Sequence, residues 1–174
     1  MIGLDLYVRR AATVHVAVIG AGLVIASAAD VWPLRLMYNA SASVPIGFYA
    51  VGEVDDPAVG DLVVVLLPPS SEQLLVERGY IAPAIPVLKH VAAHAGQRVC
   101  RAGDAVTVDD RTVAQTLDVD NEGRPLPRWS GCRVLEPGEV FLLNAAAPAS
   151  FDGRYFGQVS TASIIGKATP LWTW

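Results

Sequence analysis

Ser41 and Ser43 stand two residues apart in the stretch Asn39-Ala-Ser-Ala-Ser-Val-Pro-Ile-Gly-Phe-Tyr49. A serine hydroxyl becomes a nucleophile when a neighbouring base removes its proton. Pro45 restricts the residue before it, Val44, to an extended backbone, and Gly47 permits close approach by another chain. Ser43 would then be presented on a rigid turn, with Ser41 behind it. The same composition also suits a polar linker.

A base is available in Val87-Leu-Lys-His-Val91. Of the 13 Lys and Arg residues only Lys89 and Lys167 are lysine. Strand alternation puts Lys89 on one face with Val87 and Val91, and Leu88, His90 and Ala92 on the other. Burial between valines disfavours the ammonium and lowers its pKa, which a lysine needs to act as general base near neutral pH. Arginine does not deprotonate and cannot take that part. The competing reading is a lysine snorkelling from a strand edge. His90 and His94 offer a serine–histidine alternative, but His90 faces away from Lys89 and lacks an acidic orienter. No histidine or cysteine spacing suits a metal, and no cofactor is expected.

Around these residues the chain is long enough for one domain and a short appendage, 174 residues in all. The run AATVHVAVIGAGLVIASAA from Ala11 to Ala29 approaches the ~20 apolar residues of a membrane-crossing helix. Arg9 and Arg10 precede it, so the positive-inside rule keeps 1–10 in the cytoplasm, makes 11–30 the span, and exports 31–174. Ala26-Ser-Ala28 leaves open a cleavable signal peptide. Cys100 and Cys132 are the only cysteines. In an exported domain an even count favours a disulfide over two free thiols. A formal charge of −4 provides no basic footprint for nucleic acid.

Past Asp30, short apolar runs alternate with turn residues. Strands are expected at Gly47–Val51, after the Val59-Gly60-Asp61 turn, at Ile85–Ala92, at Gly138–Asn144, and from Tyr155 to Ile165 or Pro170. A hairpin is expected where Ala105–Val108 and Arg111–Gln115 flank Asp109-Asp110. Ser70–Arg78 reads as a short helix capped by its serines, and Asp118–Ser130 as a loop. The class is mostly β: an antiparallel sandwich or partial barrel with one short helix, preceded by a transmembrane helix.

Four segments occur in order: Asn39–Tyr49, Gly60-Asp-Leu-Val-Val-Val65, Leu88-Lys-His-Val-Ala-Ala-His-Ala-Gly96 and Ser150-Phe-Asp-Gly-Arg-Tyr-Phe-Gly157. From about Tyr38 onward this set resembles the type I signal peptidase family. It resembles most the TraF-like branch of conjugative-transfer peptidases, where the nucleophile stands two positions before proline and Gly-x-Tyr follows. The resemblance implies Ser43 as nucleophile and Lys89 as general base. It matches Asp152 and Arg154 to the Asp-Ser-Arg-Tyr box, with Asp152 grouped with the catalytic residues. Ser150 matches the serine that hydrogen-bonds the lysine amine. Ser41 matches the hydroxyl that completes an oxyanion hole with the Ser43 N–H. Gly153 departs from the usual serine, and Gln97 from a frequent aspartate.

The resemblance further implies a cofactor-free serine endopeptidase, single-pass in the bacterial inner membrane with its catalytic domain in the periplasm. Its partners would be the membrane and a pilin-like or signal-peptide-bearing precursor. Hydrolysis and cyclising transpeptidation both remain open. Two alternatives stand beside it: a general leader peptidase, and an inactive scaffold that binds pilin-assembly factors. Ala40, Ala42 and Val44 are compact, so a small residue is expected before the scissile bond.

Overall fold

The structure, a computed structural model, describes residues 12–22, 24 and 35–174. The chain divides at residue 35 into two units. In the first, residues 12–22 and 24 are helical (α1) and exposed. The expected membrane span over 11–30 lies partly outside the described residues. Among those described, no helix is long and apolar enough to cross a membrane.

The second unit opens with β1 (Leu36–Asn39), β2 (Gly47–Gly52), β3 (Leu62–Val65) and α2 (Pro69–Glu77). There follow β4 (Val87–His94), β5 (Arg98–Ala102), β6 (Ala105–Val108), β7 (Arg111–Gln115), β8 (Gly131–Val134) and β9 (Glu139–Leu143). The chain ends with α3 (Gly153–Phe156), β10 (Gln158–Ser160) and β11 (Ile164–Thr173). A seven-stranded sheet has the order β1-β2-β11-β3-β4-β9-β10, and a four-stranded sheet the order β7-β6-β5-β8. Every paired neighbour is antiparallel.

The apolar run of β3 follows from burial on both faces. Val63 and Val65 belong to one buried cluster with Val91, Val140 and Leu142. Val64 joins Tyr49, Val51 and Leu88 in another. A strand covered on both faces has no reason to alternate. A third cluster joins Ala93, Phe141 and Leu143 of the large sheet to Val99, Val106 and Val108 of the small one. That cluster is what packs the two sheets together.

Several expectations need correcting. α2 is not capped by its serines: Pro68 is the N-cap residue, Pro69 occupies the first turn, and no side chain caps the end. Pro suits that position because its missing N–H has no intrahelical partner there. The helix closes as a Schellman motif, with Tyr80 N donating to Leu75 O and Gly79 N to Val76 O. The strand expected from Tyr155 is interrupted. Asp152 accepts a hydrogen bond from Arg154 N and caps α3, and Gly157 at φ 77° ends it. A 3-10 turn over Thr161–Ser163 then separates β10 from β11. The domain thus holds more helix than the one short element expected.

Candidate active site

Asn39 ends β1 and is paired across the ladder with Gly47. Its side chain folds the serine loop around itself. Nδ2 donates to the carbonyls of Ser41 at 2.7 Å, Val44 at 3.1 Å and Pro45 at 3.1 Å. Oδ1 accepts from Ser41 N at 3.1 Å and Ser41 Oγ at 2.9 Å. The Tyr49 hydroxyl donates to Pro45 O at 2.6 Å. Gly47 has no alternative here: a Cβ would meet Trp172 O of β11 at 2.1 Å. Of the two readings, rigid turn or polar linker, the structure has the turn. Ser41 Oγ lies 3.0 Å from Ser43 Oγ.

Lys89 sits in the middle of β4, directly opposite Val63. Val63 and Val91 are fully buried and Val87 packs against their cluster. The lysine is 4% exposed, so it does not snorkel. Burial pushes its pKa down to about 8; the Asp152 carboxylate opposes that shift and the Arg154 guanidinium adds to it. Nζ donates to Ser150 Oγ at 2.8 Å.

Ser150 reaches that position because the 144–150 loop is tied from below. Arg154 is 1% exposed and Asp152 is 0%. Arg154 Nε and Nη2 donate to the two Asp152 oxygens at 2.8 and 2.7 Å. The remaining guanidinium bonds go to the carbonyls of Asn144, Ala147 and Pro148. One planar donor fork thereby holds the whole turn, a geometry that lysine cannot supply.

Ser41, Ser43, Lys89 and Ser150 all line one cavity of about 560 Å3. Asp152 and Arg154 do not line it. The structure therefore brings four of the expected site residues to one surface and puts the other two behind it. Arg78 and Tyr80, just past the end of α2, also line the cavity. Arg78 is fixed there by Asp120 at 3.0 Å and Pro125 O at 2.7 Å. The 118–130 segment is thus wall as well as loop. His90 and His94 do not line the cavity. His90 Nδ1 pairs with Asn144 Oδ1 and His94 Nδ1 with Ala95 O.

Gly153 has a steric explanation. A Cβ there would meet Leu142 O at 2.6 Å and the Phe141 ring at 2.6 Å. Trp129 stands edge-on to Phe141 and donates from Nε1 to Gly153 O at 3.0 Å. Gln97, the other departure, donates to Asp109 Oδ2 at the tip of the small sheet, away from the cavity wall. Cys100 and Cys132, paired across β5 and β8, are joined as a disulfide.

The family described as signal peptidase, peptidase S26, matches residues 8–174. The chain belongs to that family. Within the S26 signal peptidases, its relatives carry conjugative names. It is 35% identical to a probable conjugal transfer protein TraF of Sinorhizobium fredii over 78% of this chain and 76% of that one. Identity is 36% with the conjugal transfer protein TraF of Agrobacterium fabrum, over 88% and 92% of the two chains. It is 33% with a plasmid transfer protein TraF of Escherichia coli, over 89% and 92%. A solved signal peptidase I from Enterococcus faecalis is 20% identical, covers 67% of this chain and 100% of its own, and superposes at a TM-score of 0.39. That superposition is too loose to add to the family assignment. The expected family resemblance is borne out, and the TraF-named relatives cover most of the chain.

Residue type and spacing single out neither Asn39, at the head of the serine stretch, nor Asn144, at the end of a predicted strand. An asparagine closing an apolar strand just before a turn is the available signal, because its amide can satisfy the backbone groups that the strand leaves behind.

Proposed function

We propose that this S26 family member is a membrane-tethered serine endopeptidase with a Ser43–Lys89 dyad, maturing a pilin-like or exported precursor in conjugative transfer. The observation that carries this reading is Lys89, buried and with its pKa lowered to about 8, lining the same cavity as Ser43. At pH 7 about one-tenth of such a lysine is neutral, enough to serve as a base. The conjugative names of the relatives support the choice of precursor. Residues 11–30 would hold the enzyme at the bilayer where that precursor emerges.

In this mechanism neutral Lys89 takes the proton of Ser43, whose Oγ attacks the scissile carbonyl. In the resting structure Nζ is bonded to Ser150 and Ser43 Oγ to Ser41. Bound substrate must draw the two together, as catalytic hydrogen bonds commonly tighten only in the complex. The Ser43 N–H and the Ser41 hydroxyl receive the oxyanion, the single Ser41 proton turning to it from Asn39 Oδ1, to which it donates in the resting structure. The leaving amine takes the proton back from the Lys89 ammonium. Water then hydrolyses the Ser43 ester, or an amine of the substrate attacks it and a new peptide bond forms. Asp152 and Arg154 act as positioning residues beneath Ser150.

The test is intact mass of an exported pilin-like precursor incubated with the full chain and with Ser43→Ala, Lys89→Arg and Ser41→Ala. The first two abolish processing while the protein stays folded. Ser41→Ala lowers turnover roughly 10²–10³-fold, the usual loss of one oxyanion donor. Full processing by Lys89→Arg would sink the mechanism. A mass lowered by one water relative to the cut fragment identifies cyclisation, and the unaltered fragment mass identifies hydrolysis.

A further inference from the structure

Asn144 is the first residue after β9, and it is 2% exposed. β9 pairs Leu143 with His90 and Leu142 with Val91. The β4–β9 ladder ends at the Leu143–His90 pair, so β4 lacks a strand partner on the β9 side where Lys89 lies, while β3 still pairs its other side. Yet the two β4 groups facing that gap are satisfied. Asn144 Nδ2 donates to Leu88 O at 3.1 Å, and Asn144 Oδ1 accepts from His90 N at 3.1 Å. A carboxamide carries the same donor and acceptor as a peptide group, so this side chain continues the ladder past the end of the strand.

The other end of the residue is equally held. Asn144 N donates to Asp152 Oδ2 at 3.0 Å, and Asn144 O accepts from Arg154 Nη2 at 3.2 Å. The His90 ring adds a contact to Oδ1 at 3.0 Å. Asn144 therefore links the backbone on both sides of Lys89 to the Asp152–Arg154 pair. That pair also fixes the turn carrying Ser150.

We infer that Asn144 is a positioning residue for Lys89, holding the lysine's strand in register with the box that supplies its hydroxyl partner. The inference rests on Lys89 being the base of the proposed peptidase, and it commits to a position that the sequence pattern did not single out. A mere structural asparagine would affect the fold as a whole. A positioning residue changes the surroundings of one amine while the fold persists.

Lysine carbon-13 labelling separates these, since the sequence holds only Lys89 and Lys167. Each lysine is titrated by NMR in the full chain, in Asn144→Ala and in Asn144→Asp. In Asn144→Ala the freed strand lets the amine toward water, and the Lys89 midpoint climbs from about 8 toward the ordinary 10.5. Asn144→Asp keeps the acceptor for His90 N, loses the donor to Leu88 O and adds a carboxylate, so it moves the midpoint the same way. Asp152, Arg154 and His90 surround the amine's strand in all three proteins, so the comparison isolates position 144. Melting and retention of the Cys100–Cys132 bridge report folding. In the processing assay Asn144→Ala loses turnover roughly 10²-fold with KM retained, the scale of a misplacement near 1 Å.

A folded Asn144→Ala with an unmoved Lys89 midpoint overturns the inference. So does failure of both variants to fold, which would assign Asn144 to the fold alone. A wild-type chain that processes no precursor, but whose Lys89 midpoint shifts on substitution, leaves this assignment standing and removes the proposed function instead.

Discussion

Lys89 Nζ donates to Ser150 Oγ at 2.8 Å across 61 positions of sequence. A hydroxyl is an undemanding partner for an amine. It accepts from the ammonium and donates to the neutral form, whereas a carboxylate would favour the charge. With a serine in contact and the Asp152 carboxylate engaged by Arg154, burial is left as the largest influence on the lysine. That combination gives an amine that is both fixed and partly neutral near pH 7, as the proposed base must be.

The first prediction is a pH dependence with two readouts. Processing rises with pH through about 8 as Lys89 loses its proton. Stability moves as well. Between about 8 and 10.5 the unfolded chain binds more protons at this lysine than the folded one, so stability climbs with pH over that window. Below it the full cost of burying the ammonium remains. Lys89→Met is therefore inactive yet more stable than wild type at pH 7, by about 3 kcal/mol at most. Denaturant melts at pH 7 and above pH 10 check this, the difference shrinking at the higher pH. A less stable Lys89→Met would contradict the burial account.

The buried pair beneath the loop gives a second prediction. Asp152→Ala leaves the Arg154 guanidinium uncompensated at 1% exposure and costs roughly 3–5 kcal/mol. Arg154→Lys keeps the charge but loses the fork to the Asn144, Ala147 and Pro148 carbonyls. Hydrogen exchange at the 144–150 amides should quicken in Arg154→Lys before that of β3 or β4 does. Uniform loss of protection across all strands would refute a local role.

Cys100 and Cys132 sit directly opposite each other on β5 and β8, 32 residues apart in the chain. Protein taken from the cell envelope should resist alkylation until reduced, and alkylation of the two thiols that reduction frees should then add two alkyl groups by intact mass. The reduced form loses about 2–4 kcal/mol. Because the bridge lies in the small sheet, the first loss of protection on reduction belongs to β5 and β8. Free alkylation without reductant would exclude the bridge.

Pattern revealed the strands that bury both faces or alternate cleanly, such as β3, β4 and β9. It missed β5, with Arg98 and Arg101, because the buried Arg101 reads as surface until its bonds to Arg154 O and Thr116 Oγ1 are seen. It missed β8, whose residues are all exposed, since nothing in Gly131-Cys-Arg-Val134 alternates. α3 was legible in principle, with Asp152 to cap it and Gly157 to end it. The apolar stretch after it drew the strand too far back. At the site, Ser43 and Lys89 stood out by residue type. Asn39 and Asn144 did not, because their work is to replace backbone partners, and that appears only once the strands have ends.

Gly153 makes one position answerable to two others. The Phe141 ring, edge-on to Trp129, fills the space a Cβ would take, and the Leu142 carbonyl closes the rest. Serine at 153 therefore meets both ring and backbone. Shrinking Phe141 removes only the ring, and it empties a completely buried site. Positions 141 and 153 are thus epistatic by geometry: Phe141→Ala should soften the loss caused by Gly153→Ser without erasing it, and the size of that non-additivity measures how much of the clash the ring supplies.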